Sequence, residues 1–327
     1  MKAVVCAQVG GPEVLAIAER PDLVAGPGEV LISVRATALN RADLLQRRGL
    51  YPPPPGASEI LGLECSGVVA KLGAGASRFG VGERVMALLA GGGYAEQVVV
   101  HEDLLLPVPA RLSFTEAAAV PEAFLTASEA LLVEADLAPG QAVLVTAAAS
   151  GVGSAAVQIA KQRGAWVIAS ASSGKLPAVL ELGADLALDR DRDDYVAAVL
   201  AGTAGRGVQA IVDFIGASAL SRHQACLAPR GRLVVVGLLG GGTAPLDLSL
   251  LLMKRQRLCG LVMRSRSLAE KTELTARFRR ELWPALDAGT LSPRLDRVFP
   301  LADVALAHRH MEQNLNIGKV VLEVGSA

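Results

Sequence analysis

Ala142-Val-Leu-Val-Thr-Ala-Ala-Ala-Ser-Gly-Val-Gly153 is the stretch that decides the fold. It opens with an unbroken apolar run, the pattern of a strand covered on both faces, as in a parallel sheet with helices above and below. Small residues follow, and then a helical pattern from Ser154 to Arg163. The bend Ala148-Ala-Ser-Gly-Val-Gly153 is a degenerate Gly-x-Gly-x-x-Gly, with Ala148 and Ser150 standing at the first two glycine positions. Its small side chains still let the backbone approach a pyrophosphate, and a helix start offers free N–H groups and about half a positive charge. Gly153 allows close helix–strand contact. Alone, such a bend is equally an ordinary strand-to-helix turn; the elements around it make it a dinucleotide site.

Downstream, Trp166–Ala169 reads as a second strand and Lys175–Leu182 as a helix that tolerates Pro177 in its first turn. Ile211–Ile215 and Leu233–Gly237 continue the alternation, which ends on the apolar Leu258–Met263. Strand–helix–strand alternation predicts a doubly wound α/β domain of the Rossmann kind, with right-handed crossovers. Upstream, Val30–Ala36, Gly67–Leu72, Arg84–Leu88 and Ala95–Val100 are short strands between Gly and Pro turns, a mostly antiparallel β region. Ser113-Phe-Thr-Glu116 is a capping box that starts a helix, and a helical pattern over Glu122–Glu134 leads into the α/β domain. Residues 267–327 carry two helical patterns and a closing strand, Lys319–Val324, expected to fold back onto the first domain. The division is therefore 1–121 and 265–327 for one domain and 122–264 for the other.

Bulk properties exclude several classes. The 327 residues suffice for two domains with a sizeable core. Net charge is zero, which removes any global pull toward nucleic acid or an anionic membrane. The run Lys254-Arg255-Gln256-Arg257 reads as a solvated face. No apolar run reaches the roughly 18 residues of a membrane-spanning helix, and the start of the chain is no secretory signal. Cys6, Cys65, Cys226 and Cys259 lie far apart, as buried small residues of a reducing compartment do. The expected location is the cytoplasm.

The choice of dinucleotide is written after the second strand. NAD sites carry an acid about 20 residues past the phosphate loop, at the end of that strand. Here the strand runs into Ala169-Ser-Ala-Ser-Ser-Gly-Lys175, with no acid for a ribose 2′-hydroxyl. Ser170, Ser172, Ser173 and Lys175 suit a 2′-phosphate instead, and Arg190, at the end of the third strand, adds a second cation. The expected cofactor is NADPH. The plain alternative is that Lys175 only decorates a helix start, where the dipole disfavours it.

Several stretches together carry a family resemblance: Asn40-Arg-Ala-Asp-Leu-Leu-Gln-Arg-Arg-Gly-Leu-Tyr51-Pro-Pro-Pro-Pro-Gly-Ala-Ser58, Leu61-Gly-Leu-Glu-Cys-Ser-Gly67, Gly91-Gly-Gly-Tyr-Ala95, the Ala148–Gly153 bend and Asn316-Ile-Gly-Lys319. Over nearly its full length the chain resembles the quinone oxidoreductases of the medium-chain dehydrogenase/reductase superfamily. Within them it is most similar to the tumour-suppressor-inducible group, through the Tyr51–Ser58 run. The resemblance implies a GroES-like catalytic domain built from both chain ends, a central Rossmann domain and a cofactor in the cleft between them. It also implies a homodimer joined through the last Rossmann strand, and a quinone or other conjugated carbonyl compound as hydride acceptor. By position it implies cofactor contacts at Asn40, Tyr51, Thr126, Ser150, Gly151, Val152, Gly153, Ser170, Lys175, Arg190, Ile215, Gly237, Leu238 and Lys319. Two departures stand out: relatives often have Tyr where Arg190 stands, and some have a second lysine where Gly174 stands.

Zinc-dependent relatives carry Gly-His-Glu where this chain has Gly62-Leu63-Glu64, Cys where it has Asn40, and a lobe of four close cysteines that it lacks. A catalytic zinc needs three protein ligands, and His101, His223, His308 and His310 do not supply them: His308 and His310, two apart on a helix, point to different sides. No metal is expected, so simple alcohol oxidation is disfavoured. A quinone is already electrophilic and mainly needs orientation. Tyr51 and Asn40 are the candidate catalytic residues: Tyr51 either donates a proton or only packs on the cofactor, and Asn40 orients the reactants. Arg41 and Asp43 read as a structural pair. The nearest rival on the same fold is an enone or enoyl-thioester reductase. A rival of another class, an NADPH-regulated RNA-binding or crystallin-like protein, sits poorly with zero net charge and 3% aromatic residues.

Overall fold

The computed structural model of the protein describes residues 1–191 and 194–325. Two compact units make up the chain: Met1–Leu125 with Met263–Ala327, and Thr126–Val262. The first unit begins with β1 (Lys2–Cys6), β2 (Leu15–Glu19) and β3 (Glu29–Ala38), followed by α1 (Arg41–Arg47). β4 (Glu64–Leu72), β5 (Arg84–Leu88), β6 (Gln97–His101) and β7 (Leu105–Pro107) come next, and then α2 (Phe114–Ala118) and α3 (Pro121–Ser128). In the second unit β8 (Ala142–Val145), α4 (Gly151–Gln162), β9 (Trp166–Ala171), α5 (Leu176–Glu181), β10 (Leu186–Asp189), α6 (Tyr195–Gly202), β11 (Val208–Asp213), α7 (Leu220–Cys226), β12 (Leu227–Val235), α8 (Leu248–Lys254) and β13 (Arg257–Gly260) alternate. The chain then supplies α9 (Leu268–Glu281), α10 (Trp283–Ala288), β14 (Leu295–Pro300), α11 (Val304–Glu312) and β15 (Lys319–Glu323) to the first unit.

The second unit is the expected Rossmann sheet: six parallel strands in the order β10-β9-β8-β11-β12-β13. Strand β8 sits in the middle because Val143, Leu144 and Val145 are wholly apolar and fully buried, each contributing about 1.5–3 kcal/mol by leaving water. Chain direction across the sheet reverses between β8 and β11, so the loops after those two strands flank the switch point where ligands of open α/β sheets bind.

The first unit is mainly antiparallel, in the order β14-β15-β3-β4-β5-β7, with β6 also on β3 and β1–β2 as a separate ribbon. Ser113 and Glu116 close the capping box read from the sequence and start α2. The register of β15 on β3, Val321 opposite Ala38, brings the end of the chain beside residues 39 and 40, where the Leu39 N–H donates to Val320 O at 2.8 Å.

Two expectations are corrected. Among its described residues, the segment beyond Ser267 holds three α-helices and an additional strand. Pro284, which has no N–H to donate, separates α9 from α10, and β14 is too exposed on both faces to show apolar alternation. The Glu122–Glu134 helix is two pieces: after Ser128 it widens to π geometry over Glu129–Glu134, with the Ala135 N–H reaching Ala130 O at 2.9 Å.

Candidate active site

In the second unit the bend after β8 is built from backbone and small side chains. Ser150 caps α4, its hydroxyl accepting the Gly153 N–H at 3.1 Å. Gly153 is required by contact, since a Cβ there would lie 2.4 Å from Ala147 O and 2.8 Å from the Ala148 Cα. Ala147 turns the chain with φ of 43°, a left-handed conformation that alanine rarely adopts. Gly151 and Val152 form the first turn of α4, so Ser150, Gly151, Val152 and Gly153 come together. The Ala148 N–H donates to Ser170 O at 3.0 Å, which ties the bend to the end of β9.

Across the switch point, Asp213 at the end of β11 orders the next loop. Its carboxylate accepts the Ile215 N–H at 2.8 Å and the Gly216 N–H at 3.0 Å. The Thr146 hydroxyl accepts the Phe214 N–H at 2.9 Å, joining the ends of β8 and β11. Gly237 and Leu238 lie opposite, and the Gly240 N–H donates to Ile215 O at 2.6 Å, so Ile215, Gly237 and Leu238 form one rim. Thr126 Oγ1 is buried without a hydrogen-bond partner among the described residues, an orphan hydroxyl that suits a bound polar group.

Around the expected 2′-phosphate site the structure adds a group that the sequence reading did not name. Lys175 ends a short 3₁₀ turn, Ser173–Lys175, after β9. Arg190 lies about half exposed and pairs with its neighbour Asp191 at 3.2 Å. A carboxylate does stand here: Asp189, at the end of β10, is buried and accepts the Ser173 hydroxyl. The acid arrives from the third strand, where a rule about the second does not look.

The first unit gathers Asn40, Glu64 and Lys319 into a buried cluster. The Lys319 ammonium spends its three protons on Leu39 O at 2.7 Å, Asn40 Oδ1 at 2.7 Å and Glu64 Oε1 at 2.6 Å. Asn40 Nδ2 in turn donates to Glu64 Oε1 at 2.9 Å and Ala38 O at 3.3 Å. Both ends of the Asn40 amide are thus engaged, which fixes its orientation and suits a positioning role. The second Glu64 oxygen accepts the Glu122 N–H, at the start of α3, at 2.8 Å.

A second chain of bonds lies behind it. Asp43 accepts the Asn40 N–H at 2.7 Å, the Gly62 N–H at 3.0 Å and the Tyr94 hydroxyl at 3.2 Å. Burial raises its carboxyl to about 6 against these hydrogen bonds. His308 Nδ1 accepts from Arg47 at 3.0 Å and Nε2 faces the Tyr94 oxygen at 3.3 Å, an arrangement that wants a neutral imidazole. Burial, and then the Arg47 charge, lower His308 to about 3. Arg41 and Asp43 form no pair: Arg41 donates to Asn314 Oδ1 at 2.7 Å. His310 points the other way on α11 and meets Asp296 at 2.6 Å.

Tyr51 stands with groups the sequence did not flag. The Arg264 guanidinium lies over its ring at 5.3 Å and donates to its carbonyl at 3.3 Å. Lys271 reaches Arg264 O at 2.8 Å. The Tyr51 hydroxyl makes no hydrogen bond within the described residues, and burial keeps it a neutral phenol above its usual range. Arg264 and Lys271 lie past the Rossmann strands in a stretch whose only sequence signal is helical, so nothing local assigns them to Tyr51.

Comparison with known proteins agrees with this architecture. Residues 26–110 match the model of the alcohol dehydrogenase GroES-like domain, and residues 151–278 match that of the zinc-binding dehydrogenases. The quinone oxidoreductase of Pseudomonas aeruginosa is 33% identical over 98% of this chain and 99% of its own length. The synaptic vesicle membrane protein VAT-1 homolog of Rattus norvegicus is 32% identical over 99% of this chain and 84% of its own. The chain is a medium-chain dehydrogenase/reductase. Its group is that of the quinone oxidoreductases and VAT-1 proteins, and it is an NAD(P)-dependent oxidoreductase. Among solved structures, a mycobacterial protein complexed with NADPH superposes with a TM-score of 0.90 at 31% identity, over 99% of this chain and 100% of that one. The CurK enoyl reductase superposes with a TM-score of 0.88 at 29% identity, over 99% of both chains.

The name of the second matched family raises the question of zinc. In this chain Leu63 is buried and apolar, and the neighbouring Glu64 carboxylate is already neutralised by the Lys319 ammonium at 2.6 Å. A fixed cation there repels a dication, so this donor set does not fit zinc. Among the described residues no three His, Cys, Asp or Glu side chains are grouped to hold an ion. No helix of the described residues is long and apolar enough to cross a membrane.

Proposed function

We propose that the reductase is a zinc-independent NADPH:quinone oxidoreductase, allied to the tumour-suppressor-inducible group through its Tyr51–Ser58 run. The observation that carries this reading is the Asn40–Glu64–Lys319 cluster, which holds its groups rigidly and offers no Lewis acid. Such a site suits an acceptor that is electrophilic already, where orientation alone is worth roughly 7–11 kcal/mol. Bound NADPH supplies the hydride. The α4 N-terminus with Ser150, Gly151, Val152 and Gly153 would hold its pyrophosphate, and the orphan Thr126 hydroxyl would meet a polar group of the cofactor. Ile215, Gly237 and Leu238 would line the nicotinamide side, and Ser170, Lys175 and Arg190 the adenosine side. Asn40 and Tyr51 orient the acceptor, and the Tyr51 hydroxyl is free to give a proton to the oxygen that gains charge.

NADPH oxidation by the purified protein, with 1,4-naphthoquinone and separately with primary alcohols and NADP⁺, tests the proposal. Turnover of the quinone, none of the alcohols, and indifference to chelators are expected; stoichiometric zinc or alcohol oxidation would overturn it. Lys175→Glu should raise KM for NADPH at least about tenfold and that for NADH little, the size of one lost charge-assisted contact. An unchanged preference would remove the 2′-phosphate assignment.

A second reading, enone or enoyl-thioester reduction, is favoured by the unpartnered Tyr51 hydroxyl and the likeness to an enoyl reductase. Crotonyl-coenzyme A beside naphthoquinone in the same assay separates the two. We further propose a homodimer. β13 ends the Rossmann sheet with one edge open, and Leu248, Leu252, Met253 and Val262 near it are exposed. A monomer in sedimentation at micromolar concentration would exclude it.

A further inference from the structure

His223 is a polar side chain spent where an apolar one would pack as well. It lies on α7, fully buried, and neither ring nitrogen has a hydrogen-bond partner within the described residues. Keeping such groups away from water without partners is costly, and an apolar group of similar shape would avoid the cost. Its neighbours are specific. Nδ1 lies 3.5 Å from Asp213 Oδ2, at the end of β11. From α6 the Tyr195 ring stands 5.9 Å away, tilted by 47°, and its buried hydroxyl also has no partner among the described residues. Arg222 in turn covers the Tyr195 ring at 5.4 Å.

Asp213 gives the His223 contact a consequence. Its carboxylate is buried, and its two oxygens are divided between two backbone groups. Oδ1 accepts the Ile215 N–H at 2.8 Å and the Thr146 hydroxyl at 3.4 Å. Oδ2 accepts the Gly216 N–H at 3.0 Å and is the oxygen that faces His223. Gly216 holds φ of 77°, and a Cβ on it would lie 2.7 Å from Gly241 O. The loop after β11 is therefore tightly packed, and one carboxylate sets its first two N–H groups.

We propose that His223 is a positioning residue for the cofactor. Its Nδ1–H holds the Asp213 carboxylate in the rotamer that receives the Ile215 and Gly216 N–H groups. That fixes the rim of Ile215, Gly237 and Leu238, which lines the nicotinamide side of the cofactor site. The inference rests on the reading of that rim given above and adds the side chain that sets it. Tyr195 braces the imidazole from α6. His223 acts through Asp213 and takes no part in hydride transfer.

Three variants and one spectrum test this on the whole protein. His223→Leu should leave the urea midpoint no lower, because two unpartnered nitrogens leave the core. KM for NADPH should rise about tenfold, the scale of one lost interaction with a charged group. kcat, and KM for naphthoquinone, should stay within about twofold, as when binding shared by ground and transition states is removed. His223→Asn, whose side-chain amide can stand where Nδ1 stands, should restore KM for NADPH. Asp213→Asn keeps one acceptor oxygen for the two N–H groups, so it should raise the same KM. His223→Leu added to it should change nothing further, because both act through one contact. A histidine that served packing alone would behave differently: His223→Leu would lower the midpoint and the active fraction, hence kcat, and leave both KM values unchanged. Nitrogen-15 NMR of the wild type, assigned by the signals that His223→Asn loses, should show the proton on Nδ1. A bare Nδ1, an unchanged KM for NADPH in His223→Leu, no rescue by His223→Asn, or additive effects with Asp213→Asn overturns this inference and leaves the reductase reading standing. A wild type that neither binds NADPH nor reduces any acceptor overturns the reductase reading and this inference with it.

Discussion

The β8–α4 bend of the second unit and the charged cluster of the first are both built around short segments, but they use opposite chemistry. The bend works through what is missing: small side chains, a glycine with no space for a Cβ and backbone N–H groups at a helix start. The cluster works through what is added: an ammonium, an amide and a carboxylate, each nine-tenths or more buried and each satisfied by the others. The first depends on steric fit over twelve consecutive residues. The second depends on charge balance among side chains drawn from positions 40, 64 and 319. Substitutions should therefore fail differently in the two places.

The largest effect belongs to the cluster. Lys319→Met leaves the Glu64 carboxylate fully buried with only the Asn40 amide and the Glu122 N–H for company. Breaking a buried pair from one side costs ~3–5 kcal/mol, read as a lower urea midpoint. Adding Glu64→Gln, which removes the stranded charge, should recover most of that loss. A loss under ~1 kcal/mol for Lys319→Met, or no recovery in the double variant, would mean that water already reaches the pair.

The bend should respond to volume and ignore charge. Gly153→Ala places a methyl 2.4 Å from Ala147 O, an overpacking that costs ~1–3 kcal/mol, and it should weaken NADPH binding measured by fluorescence titration. Gly174→Ala, a few residues past β9, is the control, because its added Cβ meets nothing within 4 Å. Equal effects at the two glycines would show that contact with the β8 loop is not what selects glycine at position 153.

The same contrast explains what could be read in advance. An apolar run, a small-residue bend and a helix are neighbours in the chain, so local pattern alone locates β8, the bend and α4. The strand–helix alternation that predicts a doubly wound sheet, and the short strands that predict an antiparallel region, are local patterns too, whereas the strand order comes only with the structure. Glu64 was visible only as part of Gly62-Leu63-Glu64, and its partner Lys319 only through resemblance, because the contact is made by β15 pairing with β3 across almost the whole chain. Asp189 was missed because parallel pairing of β10 with β9 carries it to the Ser173 turn. Arg264 and Lys271 have no local signature: an arginine past the last Rossmann strand and a lysine on a helix are ordinary surface residues until Arg264 lies over the Tyr51 ring and Lys271 reaches the Arg264 carbonyl. β14 was missed for the converse reason, since its residues are mostly exposed and show no apolar alternation.

The smallest effect tests whether the bend stores strain as well as space. Ala147 holds φ of 43° just before the bend. A left-handed L-residue costs roughly 1–2 kcal/mol, and glycine there avoids it but loses ~0.5–1 kcal/mol through its freer unfolded chain. The balance predicts that Ala147→Gly stabilises the protein by about 0.5 kcal/mol, seen as a small rise in the urea midpoint. Ala149, two residues on and buried with ordinary backbone, has no strain to release, so Ala149→Gly should destabilise by about 1 kcal/mol. Opposite signs at two alanines of one loop would assign the strain to the turn that leaves β8. Equal losses at both would mean that the left-handed turn costs nothing here, and that glycine's absence from the first positions of the bend carries no energetic meaning.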